Sequence, residues 1–269
     1  IDVGSSSTIA LERLEKYFEA RELGRISRPG VFYDFTRYRP TVAGKGRRRT
    51  ITVPNTVIKY AKTYDGTDFL FVHLLEPHGM NEEYTNAISD MFDYFGISRY
   101  CQLGSMYDSV PHTRPLVVTG DIGGFPVERK YSIQPDKNNP YQGPTTVISL
   151  VTDRLRNMGV GSIMSLMVHI PQYLQLEEDY LGASRLIEAL SEVYDIPKRL
   201  ANRTRGRRQY EEVARALNGN FELSGLIRRL ERRYDKFVTN YGLNTRQIIL
   251  PEVQKFLKEM DSRFGEIDT

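Results

Sequence analysis

Tryptophan is missing from this chain of 269 residues, and cysteine and histidine are scarce, with one Cys and four His. A lone cysteine, Cys101, cannot close an internal disulfide, so a reducing cytoplasm is the expected compartment. Its neighbours Tyr100 and Leu103 read as strand, where an inert buried thiol is expected rather than a nucleophile. Long apolar runs are lacking too. The longest, Val160 to Ile170, is about half of the roughly 20 uncharged residues a membrane span needs, and it reads as a buried strand. The first residues, Ile1-Asp2-Val3-Gly4, show no signal-peptide pattern. Neither His-Glu-x-x-His nor Cys-x-x-Cys occurs, so neither a metal nor a cofactor is expected. Net charge is only +3, and neither nucleic acid nor membrane is an expected partner.

What is present suits a globular α/β protein. Hydrophobic residues make up 40% and charged residues 26%, with Tyr 17 and Phe 12, so a core can form without staples. Apolar positions Ile9, Leu11, Leu14 and Phe18 predict an amphipathic helix over Ser7 to Arg21. A basic stretch, Gly44-Lys45-Gly46-Arg47-Arg48-Arg49, precedes Thr50 to Lys59, which reads as an edge strand because of Pro54. After the turn Asp65-Gly66, Phe69 to Leu75 reads as a central strand. Asn81 opens a helix to about Phe95, with Gly96 past its end. Strands are expected at Ser98 to Leu103, Leu116 to Thr119 and Val160 to Ile170. Helices are expected at Thr145 to Met158 and Leu181 to Tyr194. This alternation predicts a mostly parallel sheet covered by helices on both faces. From Lys198 onward everything reads as helical: Lys198–Leu217, Phe221–Tyr234 and Asn244–Met260. The expected division is therefore an α/β core at 1–197 and a C-terminal helical subdomain at 198–269.

Four segments stand out. Glu76-Pro77 ends a strand. Pro111-His112-Thr113-Arg114-Pro115 holds two polar side chains between prolines that stiffen the backbone. Tyr141-Gln142-Gly143-Pro144-Thr145 opens a helix, and Val168-His169-Ile170-Pro171-Gln172-Tyr173 closes a strand. In this order the series resembles the bacterial, largely uncharacterised branch of the proteasome-assembly-chaperone-2-like family. The resemblance covers about Phe69 to Tyr234, including Leu230-Glu231 and Tyr234-Asp235. It implies a three-layer α/β/α sandwich like that of nucleoside phosphorylases, a C-terminal helical subdomain, and self-association, often as trimers. It implies no established activity. Eukaryotic relatives hold proteasome α-subunits partly through a hydrophobic-Tyr-X tail, which the ending Glu266-Ile267-Asp268-Thr269 lacks. Relatives near this branch carry a Trp shortly after Glu-Pro, where this chain has Glu83-Tyr84.

The candidate ligand-binding residues are Glu76, His78, His112, Arg114, Tyr141, Gly143, Thr145 and His169. In a parallel sheet they would gather in the crevice at the C-terminal strand ends. Arg114 could grip a phosphate or carboxylate bidentately, or could form an intrachain or interface ion pair. Gly143-Pro144-Thr145-Thr146 opens a helix whose free N–H groups could take an anion, or could be capped by Thr. Gly120-Asp121-Ile122-Gly123-Gly124-Phe125-Pro126 has the glycines of a phosphate loop, but strand-like Val127 to Ile133 follows, favouring a hairpin or lid. Ser105, Asp108 and Ser109 precede His112 without a nucleophile-elbow pattern, so no Ser/His/Asp set declares itself.

Between Lys198 and Lys236 about a dozen basic residues face about five acidic ones. Within that stretch, Arg203-Thr204-Arg205-Gly206-Arg207-Arg208 reads as a solvated basic face or a contact with an acidic neighbour. The leading expectation is a self-associating assembly factor that binds another protein. The alternative is a phosphorylase- or hydrolase-like protein or enzyme that binds an anion or nucleoside-type ligand in the crevice.

Overall fold

The computed structural model describes residues 1–44, 49–63, 66–121, 133–135, 145–194, 196–217, 219 and 221–239. Outside them fall Lys45 to Arg48, Asp65, Ile122 to Pro126 with the strand expected after them as far as Ser132, Tyr141, Gly143 and the expected helix Asn244–Met260. The chain gathers into two compact units. The first holds Ile1–Ala10, Leu103–Tyr141 and Met164–Thr269, and the second holds Leu11–Gln102 and Gln142–Ile163.

In the second unit, β1 (Arg21–Arg25), β4 (Val57–Lys62) and β5 (Asp68–His73) form a sheet in the order β1-β4-β5, and β2 (Thr41–Ala43) pairs with β3 (Thr50–Thr52). The single strand expected over Thr50 to Lys59 is thus two, because Pro54, with no N–H to give a ladder, lies between β3 and β4. Helices α2 (Asn81–Tyr94) and α3 (Val147–Asn157) supply most of the core. Tyr84, Ile88 and Phe92 pack with Tyr33, Val147, Val151 and Leu155. The spacing of four between successive residues in each helical set places them on one face. Both helices stop as their glycines dictate. Gly96 and Gly159 sit at φ 58° and 81°, and the residues after them, Ile97 and Val160, donate back to Phe92 O and Leu155 O.

In the first unit, β6 (Arg99–Asp108), β7 (Val118–Asp121), β8 (Ile133–Pro135) and β9 (Ser162–Pro171) form a sheet in the order β6-β9-β7-β8. The first residues of β6 and β9 belong to the second unit. Met164, Leu166, Val168 and Ile170 of β9 are fully buried. Helix α1 (Ser6–Tyr17), whose residues from Leu11 on belong to the second unit, begins where the Asp2 carboxylate accepts the backbone N–H groups of Ser7 and Thr8, at 2.8 and 3.0 Å. Helix α4 (Tyr180–Val193) is buried nearly all round. Helices α5 (Thr204–Leu217) and α6 (Phe221–Thr239) follow, and α6 buries Leu223, Leu226 and Leu230 against Tyr173. The continuous helix expected from Lys198 is interrupted. A 3-10 turn at Lys198–Ala201 ends before Asn202, whose Oδ1 accepts the N–H of Thr204 at 2.8 Å and restarts the helix as α5.

The mixed α/β class holds, but a mostly parallel sheet does not. The pairings β1 with β4, β4 with β5, β2 with β3 and β7 with β9 are antiparallel, and β7 with β8 is parallel. The expectation took each strand–helix–strand passage for a parallel crossover. Instead, α2 connects strands of two different sheets, and α3 connects β8 to β9, which are separated by β7. Among the described residues, no helix is long and apolar enough to cross a membrane.

Candidate functional site

The candidate residues fall into two sets, one in each unit. In the second unit, Glu76 follows β5 and directs Oε1 to the N–H of Val147, the first residue of α3, at 2.9 Å. Thr146, the residue before that helix, makes no side-chain cap. The helix N-terminus singled out for an anion therefore holds the chain's own carboxylate, where the dipole and a free N–H favour it. Thr145 is exposed just before it. His78 accepts the Asp34 N–H through Nδ1 at 3.1 Å, donates its own backbone N–H to Phe32 O, and packs its ring on Tyr38. Tyr33, Thr56 and Tyr84 join their hydroxyls in a buried cluster. The remaining histidine, His73, meets the buried Glu15 carboxylate, which also pairs with Lys59 at 2.6 Å.

In the first unit, the pentapeptide 111–115 connects β6 to β7 and fastens α6. Thr113 Oγ1 donates to Glu231 Oε1 at 2.6 Å, which also accepts Arg114 Nη1 at 3.1 Å. Arg114 then grips Asp235 with Nε and Nη2, at 2.9 and 3.0 Å, in the planar two-point geometry of a guanidinium. Tyr234 donates its hydroxyl to Pro115 O at 2.8 Å. The partners 231, 234 and 235 lie three and four residues apart, so one helical face meets the whole loop. Arg114 holds the Asp235 carboxyl below the usual carboxylate range by hydrogen bonding.

His112 faces Tyr173. The Tyr173 oxygen accepts the His112 backbone N–H at 2.8 Å and lies 2.7 Å from Nδ1. The hydroxyl's own proton can go to Nδ1 when the ring is the neutral tautomer protonated on Nε2. Burial holds the imidazole below its ordinary value of 6.5, with Glu231 opposing weakly. A lowered histidine binds fewer protons in the folded chain than in the unfolded one. Its contribution is thus complete above 6.5 and is lost as pH falls through the depressed value. Urea unfolding at about pH 7.5 and about pH 5.5 should show lower stability at the acidic end. His112→Gln should flatten that difference. Tyr173→Phe, which strips the half-buried His112 N–H of its acceptor, should cost about 1–3 kcal/mol.

His169 belongs to another arrangement. Its Nδ1 lies 2.8 Å from Asp108 Oδ2 and its Nε2 lies 2.8 Å from Thr119 Oγ1. The other Asp108 oxygen accepts the Ser109 N–H at 2.6 Å. The three side chains come from β6, β9 and β7, which are neighbours in the sheet. His169 lies opposite Val117, to whose carbonyl it donates its N–H, and Thr119 follows two residues on, on the same face. Nothing in the sequence marks Thr119, since a Thr ending an apolar run is ordinary. Ser105, by contrast, shares its one hydroxyl proton between Val3 O at 2.7 Å and Asp2 Oδ1 at 3.0 Å. Cys101 lies on β6, and burial pushes its thiol up.

The basic run at 203–208 is largely engaged within the chain. Arg203 pairs with Glu188, Arg205 lies 3.5 Å over the Tyr180 ring, and Arg208 meets Glu212 at 3.1 Å. Among the described residues, no group of three or more His, Cys, Asp or Glu side chains could hold a metal ion.

Solved structures of several proteins share this fold. A PAC2 family protein from Streptomyces avermitilis superposes with a TM-score of 0.71 at 22% identity, covering 84% of this chain and 94% of that one. A proteasome-assembly chaperone homologue of Mycobacterium tuberculosis gives 0.71 at 18% identity, over 84% and 95% of the two chains. PbaB of Pyrococcus furiosus, an archaeal proteasome activator, gives 0.61 at 14% identity, over 81% and 90%. No curated protein matches the sequence. The sequence model of the PAC2 family matches residues 1–216, from the first residue to the last turn of α5, and the chain therefore belongs to the PAC2 family.

Proposed function

We propose that the chain is a cytoplasmic, self-associating assembly factor that binds another protein. The observation that carries this reading is that the charged candidates are occupied from within. Arg114 holds Glu231 and Asp235, and Glu76 caps α3. A small-anion site would need those groups free, whereas a protein-binding scaffold uses them to fix its own elements. Family membership and fold likeness to a proteasome-assembly chaperone homologue and a proteasome activator support the same class. By that analogy, the self-association is a homo-oligomer, for which a trimer is the proposed state.

Sedimentation velocity across a concentration series, followed by reconstitution with purified partners identified by tagging the chain in its own cell, tests the proposal. A stable homo-oligomer that forms a stoichiometric complex with a second protein is expected. A monomer that forms no reconstituted complex but binds inorganic phosphate or a nucleoside in calorimetry would overturn it.

A further inference from the structure

We propose that Asp108, His169 and Thr119 form a nucleophile relay, in which Thr119 Oγ1 attacks the carbonyl of an ester or thioester. This activity goes beyond the assembly role. Its basis is the order of hydrogen bonds. An ionised carboxylate only accepts, so Asp108 Oδ2 at 2.8 Å fixes the proton of a neutral ring on His169 Nδ1. The lone pair then lies on Nε2, and the contact at 2.8 Å has Thr119 donating its hydroxyl proton toward it. A hydroxyl bonded to a base that is itself oriented by a third group is the arrangement that activates serine and threonine nucleophiles.

Burial supplies the remaining requirement. The His169 and Asp108 side chains are 6% and 11% exposed. Thr119 is only half-buried, and Asp121, which ends β7, is exposed. The base is thus buried, while the nucleophile and the orienting carboxylate each keep part of their surface exposed. Strands rather than loops carry all three, so their spacing is set by the sheet. A secondary alcohol is more hindered than a serine, which favours acyl groups with good leaving groups over amides.

The chemistry balances with water alone. The Oγ1–carbon bond forms as the hydroxyl proton moves to Nε2 and the carbonyl electrons move onto oxygen. Collapse of the tetrahedral species breaks the carbon–oxygen or carbon–sulfur bond, and the departing alcohol or thiol takes the proton from Nε2. Water, deprotonated by the same nitrogen, then releases the acid and restores Thr119.

The test uses the full chain with p-nitrophenyl acetate and a fluorophosphonate probe, read by intact mass and peptide mapping. A single adduct on Thr119 is expected, with Thr119→Ser retaining it. His169→Gln should slow its formation by about 10²- to 10⁴-fold, the usual contribution of a general base. Thr119→Val, close in shape, should abolish it while the melting curve shows a folded protein. Lack of an adduct on Thr119 in both wild type and Thr119→Ser would overturn the proposal. So would labelling that folded His169→Gln leaves unchanged, because His169 would then be only a structural partner. If His169→Gln fails to fold, Asp108→Asn takes its place, and an unchanged rate in that variant overturns the relay.

Discussion

Placing alanine at Gly206 is expected to lower the melting temperature by roughly 5–10 °C, while the same change at Gly225 raises it slightly. Gly206 lies in α5 where that helix crosses the start of α4. A Cβ built there would stand 2.5 Å from the Leu181 nitrogen and 2.6 Å from its Cα. Those atoms are backbone, and no rotamer change moves them. The two helices must separate, disturbing a contact that buries Tyr210 one turn further along α5. Alanine gains about 1 kcal/mol of helix propensity over glycine, and overpacking costs about 1–3 kcal/mol and occasionally more. With backbone contacts this far inside van der Waals distance, overpacking is expected above that range, at about 3–4 kcal/mol, so the second effect wins and the net loss is about 2–3 kcal/mol. A Cβ on Gly225 in α6 meets nothing within 4 Å, so only the propensity gain of up to about 1 kcal/mol remains. Paired thermal melts decide the matter. Equal shifts at the two positions would show that the close approach at Leu181 is not a constraint.

Gly206 also shows where sequence reading stops. It stands inside the run from Arg203 to Arg208, which reads as a charged face open to partners. In the fold, that run is fastened to α4 through Glu188, the Tyr180 ring and the Leu181 backbone. Charge is visible in a sequence, but the neighbour that neutralises it is not. The same limit applies to Arg114. Its stiff setting between prolines was legible, yet Glu231 and Asp235 lie more than a hundred positions downstream.

Local signals fared better. Helices α2, α3 and α4 show periodic apolar faces, with glycine past the first two and Pro197 beyond the third. Strand β1, Arg21-Glu22-Leu23-Gly24-Arg25, is mostly exposed and has no alternation to betray it, and β2 is exposed throughout. Strand direction was misjudged for a topological reason, since nothing local reveals that β5 and β6 join different sheets. The relay is half legible. Asp108 and His169 stand out in the sequence, but their pairing depends on which strand lies beside β9.

Removing the Asp179 carboxylate is expected to cost more than removing the Tyr173 hydroxyl. Asp179 is fully buried as the N-cap of α4. Its Oδ1 accepts the Gly182 N–H at 2.7 Å and its Oδ2 accepts the Tyr210 hydroxyl at 2.6 Å. Its backbone N–H donates to Gly4 O at 2.6 Å, so one residue ties the N-terminal segment, α4 and α5 together. Asp179→Ala removes a cap worth about 1 kcal/mol and strands a buried hydroxyl at a further 1–3 kcal/mol or so. A total of about 2–4 kcal/mol is expected, a large share of the roughly 5–15 kcal/mol that holds a typical domain folded. Asp179→Asn should behave differently. Asparagine caps as well as aspartate, its oxygen can keep the Gly182 bond, and its amide can donate to the Tyr210 oxygen. It also removes an electrostatic burden, because burial raises the Asp179 pKa above 3.8 in the folded chain. A raised carboxyl binds more protons when folded, so its contribution is complete below 3.8 and is lost as pH rises through the folded value. The asparagine variant should lack that decline and lie within about 1 kcal/mol of wild type at neutral pH. Urea titrations of both variants from about pH 4 to about pH 8 measure all of this. If alanine and asparagine prove equally destabilising at every pH, the cap and the Tyr210 bond are not what holds these three segments together.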